Sequence, residues 1–226
     1  MNFEILNGAY ALATIKLNKE EVFFSEPGSM VAMSMGIDYQ PRIDDNIISA
    51  TFRNVLGGES FFFSRAKAEL TGAWISIAPK FPGDIAKLDL NITDVINLQS
   101  GSYLGHSEGV DIDVKISKPG EFLLREGATI LQASKSGSLL ISSYGQLQQY
   151  TLQPGQSIIV DTGHLVAWSD NLDLKIGALS GIISAQFLGE GLVGKFTATN
   201  TQGYLVIQTR SEQNLSTWLK IDRAHN

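Results

Sequence analysis

Residues 28–39 read GSMVAMSMGIDY, residues 101–112 read GSYLGHSEGVDI and residues 163–174 read GHLVAWSDNLDL. The three stretches align without a gap: each has Gly first, an apolar residue fourth, Ala or Gly fifth, Ser seventh and Asp eleventh. Apolar and small residues alternate with polar ones at a period of two, as a half-buried strand requires. The chain therefore carries three copies of one strand-forming block, and these copies predict its architecture.

A second pattern recurs outside the blocks, in which a glycine precedes a short apolar run. The runs are GAYALATI (8–15), GAWISI (72–77), GSLLIS (137–142) and GYLVIQ (203–208). They lie about 65 residues apart, and a constant period is typical of stacked or radially arranged units. We therefore predict a single domain over residues 1–226 with three internal repeats that start near Gly8, Gly72 and Gly137. The strand at Gly203 is expected to close onto the N-terminal unit.

These repeats predict an all-β fold, a β-sandwich or prism with pseudo-threefold symmetry. Gly28, Gly101 and Gly163 are expected in tight turns with positive φ, which costs other residue types about 1–2 kcal/mol. Two segments have apolar residues at helical spacing instead. They predict a short helix over residues 47–56 and a C-terminal helix that begins after Ser211 and runs through Trp218.

Composition excludes several classes of protein. The 226 residues carry a net charge of −6, which disfavours non-specific nucleic-acid binding because that binding depends on Lys and Arg. The chain has no cysteine, so disulfides and Cys-ligated zinc are impossible. No apolar run approaches the ~18 residues of a membrane span, and the first residues make a poor secretion signal. The expected location is cytoplasmic.

Five strings occur in an order that resembles the altered-inheritance-of-mitochondria family, from Glu21 to Arg210. They are GSMVAMSMGI (28–37), GGESFFF (57–63), VDTGHLVAW (160–168), GEGLVGKF (189–196) and IQTRS (207–211). The resemblance implies a β-sandwich of the tryptophan-RNA-binding-attenuator-like superfamily that forms homo-oligomers. It also implies a protein or membrane-associated partner, by analogy with mitochondrial members linked to inner-membrane organisation. Residues 197–202 depart from the family's usual Gly-Pro-Gly turn, which puts the role of that loop in doubt.

Candidate reactive residues are few. Asp161 and His164 are separated by one short turn, and a carboxylate that orients an imidazole is a common arrangement in general bases and metal sites. The alternative is a histidine that satisfies backbone groups of the turn or lines a subunit contact. The other blocks hold Ser29 and Ser102 where His164 stands, which favours the structural interpretation.

The block aspartates Asp38, Asp111 and Asp173 occupy equivalent positions. They could converge on an axis and bind a cation through oxygen ligands, or each could cap a turn by bonding its own backbone. The second interpretation is favoured, so no metal or other cofactor is predicted.

These observations predict a non-enzymatic protein that self-associates as a scaffold or binding module, as a homo-oligomer and by analogy a trimer. Two alternatives stay open. One is a module that binds a small ligand or RNA, although the absence of a run of basic residues argues against nucleic acid as a partner. The other is a hydrolase that uses Asp161 and His164.

Overall fold

The computed structural model describes residues 1–43, 62–115, 130–178 and 192–219, and nearly all of its regular structure is antiparallel β-sheet. The all-β prediction is therefore confirmed. The predicted helix over residues 47–56 lies outside the described residues. The strands are β1 Asn2–Leu6, β2 Leu12–Leu17, β3 Val22–Ser25, β4 Met30–Met33, β5 Ile37–Ile43, β6 Phe62–Ala68, β7 Ala73–Ile77, β8 Ile85–Leu90, β9 Ile96–Gln99, β10 Tyr103–Ser107, β11 Asp111–Lys115, β12 Ile130–Ser134, β13 Gly137–Ser142, β14 Leu147–Leu152, β15 Ser157–Asp161, β16 Leu165–Ser169, β17 Leu172–Ala178, β18 Leu192–Ala198 and β19 Gly203–Gln208.

Three consecutive groups of six strands, β2–β7, β8–β13 and β14–β19, share one pairing pattern and are called units 1, 2 and 3. In each unit the first strand pairs with the sixth and the sixth with the third, while the fourth pairs with the fifth and the fifth with the second. The quoted blocks form the third strand of each unit, namely β4, β10 and β16.

The described strands make four sheets, which we number I to IV. Sheet I has the order β1-β2-β7-β4, sheet II β5-β6-β3-β10-β13-β8, sheet III β11-β12-β9-β16-β19-β14 and sheet IV β15-β18-β17. Each unit therefore contributes three strands to one sheet and three to the next. The pairs β3·β10 and β9·β16 join neighbouring units edge to edge.

Three hydrophobic cores lie between successive sheets: between I and II, between II and III, and between III and IV. Sheets II and III consequently have both faces covered. Phe23 and Phe24, neighbours in β3, illustrate the consequence, because their side chains point to opposite faces and both are buried, in different cores. The adjacent aromatic residues of the sequence thus mark a strand with two buried faces.

The unit boundaries differ from those expected from the glycine spacing. The runs at Gly72, Gly137 and Gly203 form β7, β13 and β19, but the run at Gly8 forms β2, whose pairing is that of β8 and β14. Units therefore begin at Leu12, Ile85 and Leu147. The expected closure through Gly203 is wrong, since β19 lies between β14 and β16 and unit 1 already has its own sixth strand.

The C-terminal helix is confirmed as α1, Glu212–Trp218, preceded by Ser211 in an extended conformation. Its apolar side is less buried than the i, i+3, i+4 spacing suggests. Leu215 is half-buried, while Trp218 and Leu219 are exposed. The helix therefore follows β19 with most of its apolar side outside the three cores.

Candidate functional site

The first glycine of each block adopts two different geometries. Gly28 has φ +81° in a turn closed by a hydrogen bond from Ser29 N to Glu26 O. Pro27 precedes it, which suits a turn that needs positive φ at its third residue. Gly101 and Gly163 instead lie in short 3₁₀ turns at Ser100–Ser102 and Thr162–His164. The expectation of positive φ is correct for Gly28 and wrong for the other two.

Asp161 precedes the 3₁₀ turn Thr162–His164 and His164 ends it, but their polar atoms bind different groups. Gly163 N donates to Asp161 Oδ1 at 2.7 Å, so the carboxylate caps the turn. His164 Nδ1 lies 2.8 Å from Gln208 O in β19. A carbonyl only accepts, so Nδ1 carries the proton. Within the described structure no hydrogen bond joins Asp161 to His164, and the arrangement expected for a hydrolase is not formed.

The other block histidine, His106, is buried in the core between sheets II and III. Its ring stacks on Phe24 with centroids 5.0 Å apart and meets Phe63 edge-on at 5.2 Å. Its Nδ1 lies 2.6 Å from the Tyr103 hydroxyl. Burial, with the charge of Glu26 as a second cause, raises the pKa of Tyr103 well above its ordinary value. The phenol therefore keeps its proton, and this cluster holds two units together.

The block aspartates do not converge on one point. Asp38, Asp111 and Asp173 lie on β5, β11 and β17, which belong to three different sheets. Each has a cation beside it: Arg65 at 3.4 Å from Asp38, Lys135 next to Asp111, and Lys175 at 3.9 Å from Asp173. They form ion pairs in three different sheets, so the shared cation site is wrong, and within the described residues no backbone hydrogen bond to these carboxylates supports the expected turn caps. Nor does any other group of three His, Asp or Glu among the described residues suit a metal ion.

A cleft of about 490 Å³ opens between the 3₁₀ turn Thr162–His164, the segment that follows β19, and α1. His164 and Arg210 are among its polar lining residues, and Tyr144, Leu215 and Trp218 supply apolar surface. Since Nδ1 of His164 is occupied by Gln208 O, Nε2 is the ring atom left for a ligand. Sequence reasoning singled out His164 but missed the cleft, because the cleft depends on where α1 packs and Arg210 belongs to no block.

One carboxyl near the unit junctions has a perturbed acidity. Burial raises the pKa of Glu26, nearby Lys80 opposes that shift, and Glu212 adds to it. Glu26 N also donates to Leu104 O, across the junction between units 1 and 2. The residue therefore links backbone pairing at this junction to a group that can change charge.

An exposed apolar patch lies on β4 and the turn that follows it. Met30, Val31, Met33 and Met35 all expose a large part of their side chains. Several exposed apolar side chains on one strand mark an interaction surface more often than a single one does. No helix of the described residues is long and apolar enough to cross a membrane.

Comparison with known proteins places this architecture in a family. A protein from Streptococcus pyogenes serotype M6, named only as uncharacterised, is 25% identical over 219 residues, which are 93% of this chain and 86% of that protein. A crystal structure of a protein from Streptococcus pyogenes, 26% identical, superposes with a TM-score of 0.75 over 97% of this chain and 98% of that chain.

A fungal relative carries a descriptive name. The mitochondrial protein called altered inheritance of mitochondria protein 24, from Verticillium alfalfae, is 27% identical over 172 residues, which are 74% of this chain and 43% of that protein. The chain thus matches less than half of this longer relative. A family model described as mitochondrial biogenesis AIM24 matches residues 3–210, nearly the whole of the chain. The protein therefore belongs to the mitochondrial biogenesis AIM24 family.

Proposed function

We propose that the protein is a non-enzymatic β scaffold that associates with copies of itself and offers a binding platform. The observation that carries this proposal is the exposed apolar patch of β4 and its turn, at Met30, Val31, Met33 and Met35. Leaving such side chains in water costs about 25 cal/mol per Å² of apolar surface that a partner could cover. Self-association is one way to cover it.

The contacts that the candidate polar side chains make within the fold also support this proposal. Asp161 caps a turn, His164 holds the end of β19, and His106 packs between aromatic rings. These side chains stabilise the fold, which is the role expected of residues at or beside a repeated block. A trimer and a cytoplasmic location stay predictions from the sequence.

Size-exclusion chromatography with multi-angle light scattering tests the self-association. At micromolar concentration we expect a mass that is a multiple of the chain mass and holds across a ten-fold dilution. A monomer over the whole range contradicts the proposal. A protein or membrane-associated partner, suggested by the family, can then be sought by cross-linking with the oligomer as bait.

The cleft beside α1 favours a second function, the binding of a small anionic ligand such as a nucleotide. Arg210 provides a cation, His164 Nε2 a hydrogen-bonding atom, and Tyr144 and Trp218 provide rings for stacking. Thermal-shift screening with nucleoside mono-, di- and triphosphates is expected to find a stabilising compound whose effect Arg210→Ala abolishes. Absence of any shift at millimolar ligand contradicts this second function.

RNA binding and hydrolysis are tested separately. Filter binding across salt concentrations should show no steep salt slope, since the chain is acidic and lacks basic clusters. For the hydrolase alternative, His164→Gln should leave any measured hydrolytic activity unchanged, because His164 and Asp161 bind different groups.

A further inference from the structure

The two unit junctions inside the chain are built alike. At the first, β10 pairs with β3 through Gly105↔Ser25, His106↔Phe24 and Ser107↔Phe23. At the second, β16 pairs with β9 through Ala167↔Leu98, Trp168↔Asn97 and Ser169↔Ile96. The paired residues of β3 lie as far before Gly28 as the paired residues of β9 lie before Gly101, and these glycines open the blocks of the same two units. A block strand of one unit therefore pairs with the second strand of the preceding unit in one fixed register.

One more block strand and one more second strand occur in the chain, in the first and the last unit. The block strand of unit 1 is β4, and the second strand of unit 3 is β15. Among the described strands β4 pairs only with β7, and β15 pairs only with β18. Ser34 N donates to Trp74 O in β7, so the alternating pattern directs the backbone N–H of Met33 to the outer side of β4. Both strands thus present an open edge that can accept another strand.

Burial at equivalent positions shows that β4 lacks a partner that β10 and β16 have. Met33 is 40% exposed, whereas its equivalents His106 and Trp168 are 5% and 2% exposed. On β15, Ile158 packs against the core between sheets III and IV but is only half-buried, while Phe23 and Ile96 at the equivalent positions are buried.

We infer that β4 of one chain pairs with β15 of a second copy, in the register of the two internal junctions. That register sets Ala32 opposite Val160, Met33 opposite Ile159 and Ser34 opposite Ile158. The pairing joins sheets I and IV of two copies into one sheet of order β1-β2-β7-β4-β15-β18-β17, which has the order of sheets II and III with β1 added. This inference rests on the proposed self-association and specifies its surface.

The partner is a second copy because the two edges belong to the first and last sheets of the stack. The three cores join I to II, II to III and III to IV, and no described strand pair joins IV back to I. The contact uses a different strand on each side, so it is head-to-tail. Such a contact closes into a ring when the rotation between copies allows it, and a ring leaves neither edge free.

Paired cysteines test both the surface and the register, since the chain has no cysteine of its own. Met33→Cys and Ile159→Cys are made as separate full-length variants, co-expressed and mildly oxidised. Directly opposed strand residues lie within disulfide reach, so the mixture should give about ten-fold more disulfide-linked dimer than Met33→Cys mixed with Val160→Cys, whose side chains would point to opposite faces. Neither variant alone should cross-link.

Each other outcome overturns the inference. Dimers of Met33→Cys alone would mean that β4 pairs with β4. A chain carrying both substitutions that closes its disulfide at monomer mass would mean closure within one chain. An oligomer seen by light scattering without the mixed cross-link would reject this surface while leaving the proposed self-association intact, whereas a monomer by light scattering would reject both.

Discussion

The imidazole of His106 lies opposite Phe24 across the pair β3·β10, and their rings stack with centroids 5.0 Å apart and planes inclined by 24°. This contact belongs to both neighbouring units, because Phe24 comes from unit 1 and His106 from unit 2. At the equivalent position of the second junction, Trp168 lies opposite Asn97. The side chains at this position therefore determine how firmly one unit is held to the next.

His106→Ala should destabilise the fold by about 2–4 kcal/mol, because it empties a buried site ringed by Phe24, Phe63 and Tyr103 and leaves the Tyr103 hydroxyl without its bond to Nδ1. Urea unfolding monitored by circular dichroism measures the change. His164→Ala is the matched control. It removes a half-buried ring and one hydrogen bond, and should cost about 1 kcal/mol. Equal losses in the two variants would contradict the central role of the His106 cluster.

Gly105→Ala should destabilise the protein by about 1–3 kcal/mol, since overpacking at a buried strand forces neighbours apart. A Cβ at Gly105 would lie 2.6 Å from Phe23 Cζ and 2.7 Å from Phe24 O, and the second of these is backbone that cannot turn away. Gly101→Ala is the control, because its Cβ would meet only Glu212 Oε1 at 3.8 Å. If thermal unfolding midpoints of the two variants agree, the close approach of β3 to β10 is not as described.

Much of this junction could be predicted from the sequence. The alternation of apolar and polar residues inside the blocks predicted that each block forms a strand. The capping position of Ser211 located α1. These features depend on local preference and on side-chain alternation, which act at short range along the chain.

Which strands pair with one another was harder to predict from the sequence, because strand pairing depends on tertiary packing. The run at Gly8 has the composition of a sixth strand but pairs as a first strand, and composition alone does not separate the two. The turn at Gly28 differs from those at Gly101 and Gly163, and only the first has a proline at the second position of the turn. The cleft at His164 needs Arg210 and α1, which no repeat contains.

Stability should depend on pH through Glu26, whose pKa is raised in the folded state mainly by burial. Above the unfolded value of 4.5, the unfolded chain releases a proton that the folded chain retains. The free energy of unfolding therefore falls as pH rises from about that value through the folded pKa. Glu26→Gln should remove this fall and be more stable than the parent at neutral pH.

Urea unfolding between pH 4 and pH 7 tests this expectation for the parent and for Glu26→Gln. Glu108→Gln, at an exposed turn residue, serves as the control and should keep the slope of the parent. A Glu26→Gln variant whose stability changes with pH as steeply as that of the parent would show that Glu26 is not the group responsible.

The most direct test of the account is the mass of the protein after its open edge is blocked. Met33→Lys places a charge on β4 at a position whose equivalents His106 and Trp168 are buried at the two internal junctions, while Ile92→Lys places the same charge at an exposed position, 73% accessible, in the turn between β8 and β9. By multi-angle light scattering we expect an oligomer for the parent and for Ile92→Lys, and a folded monomer for Met33→Lys. An unchanged oligomer in Met33→Lys, or a monomeric parent, would contradict the claim that a second copy completes the edge at β4.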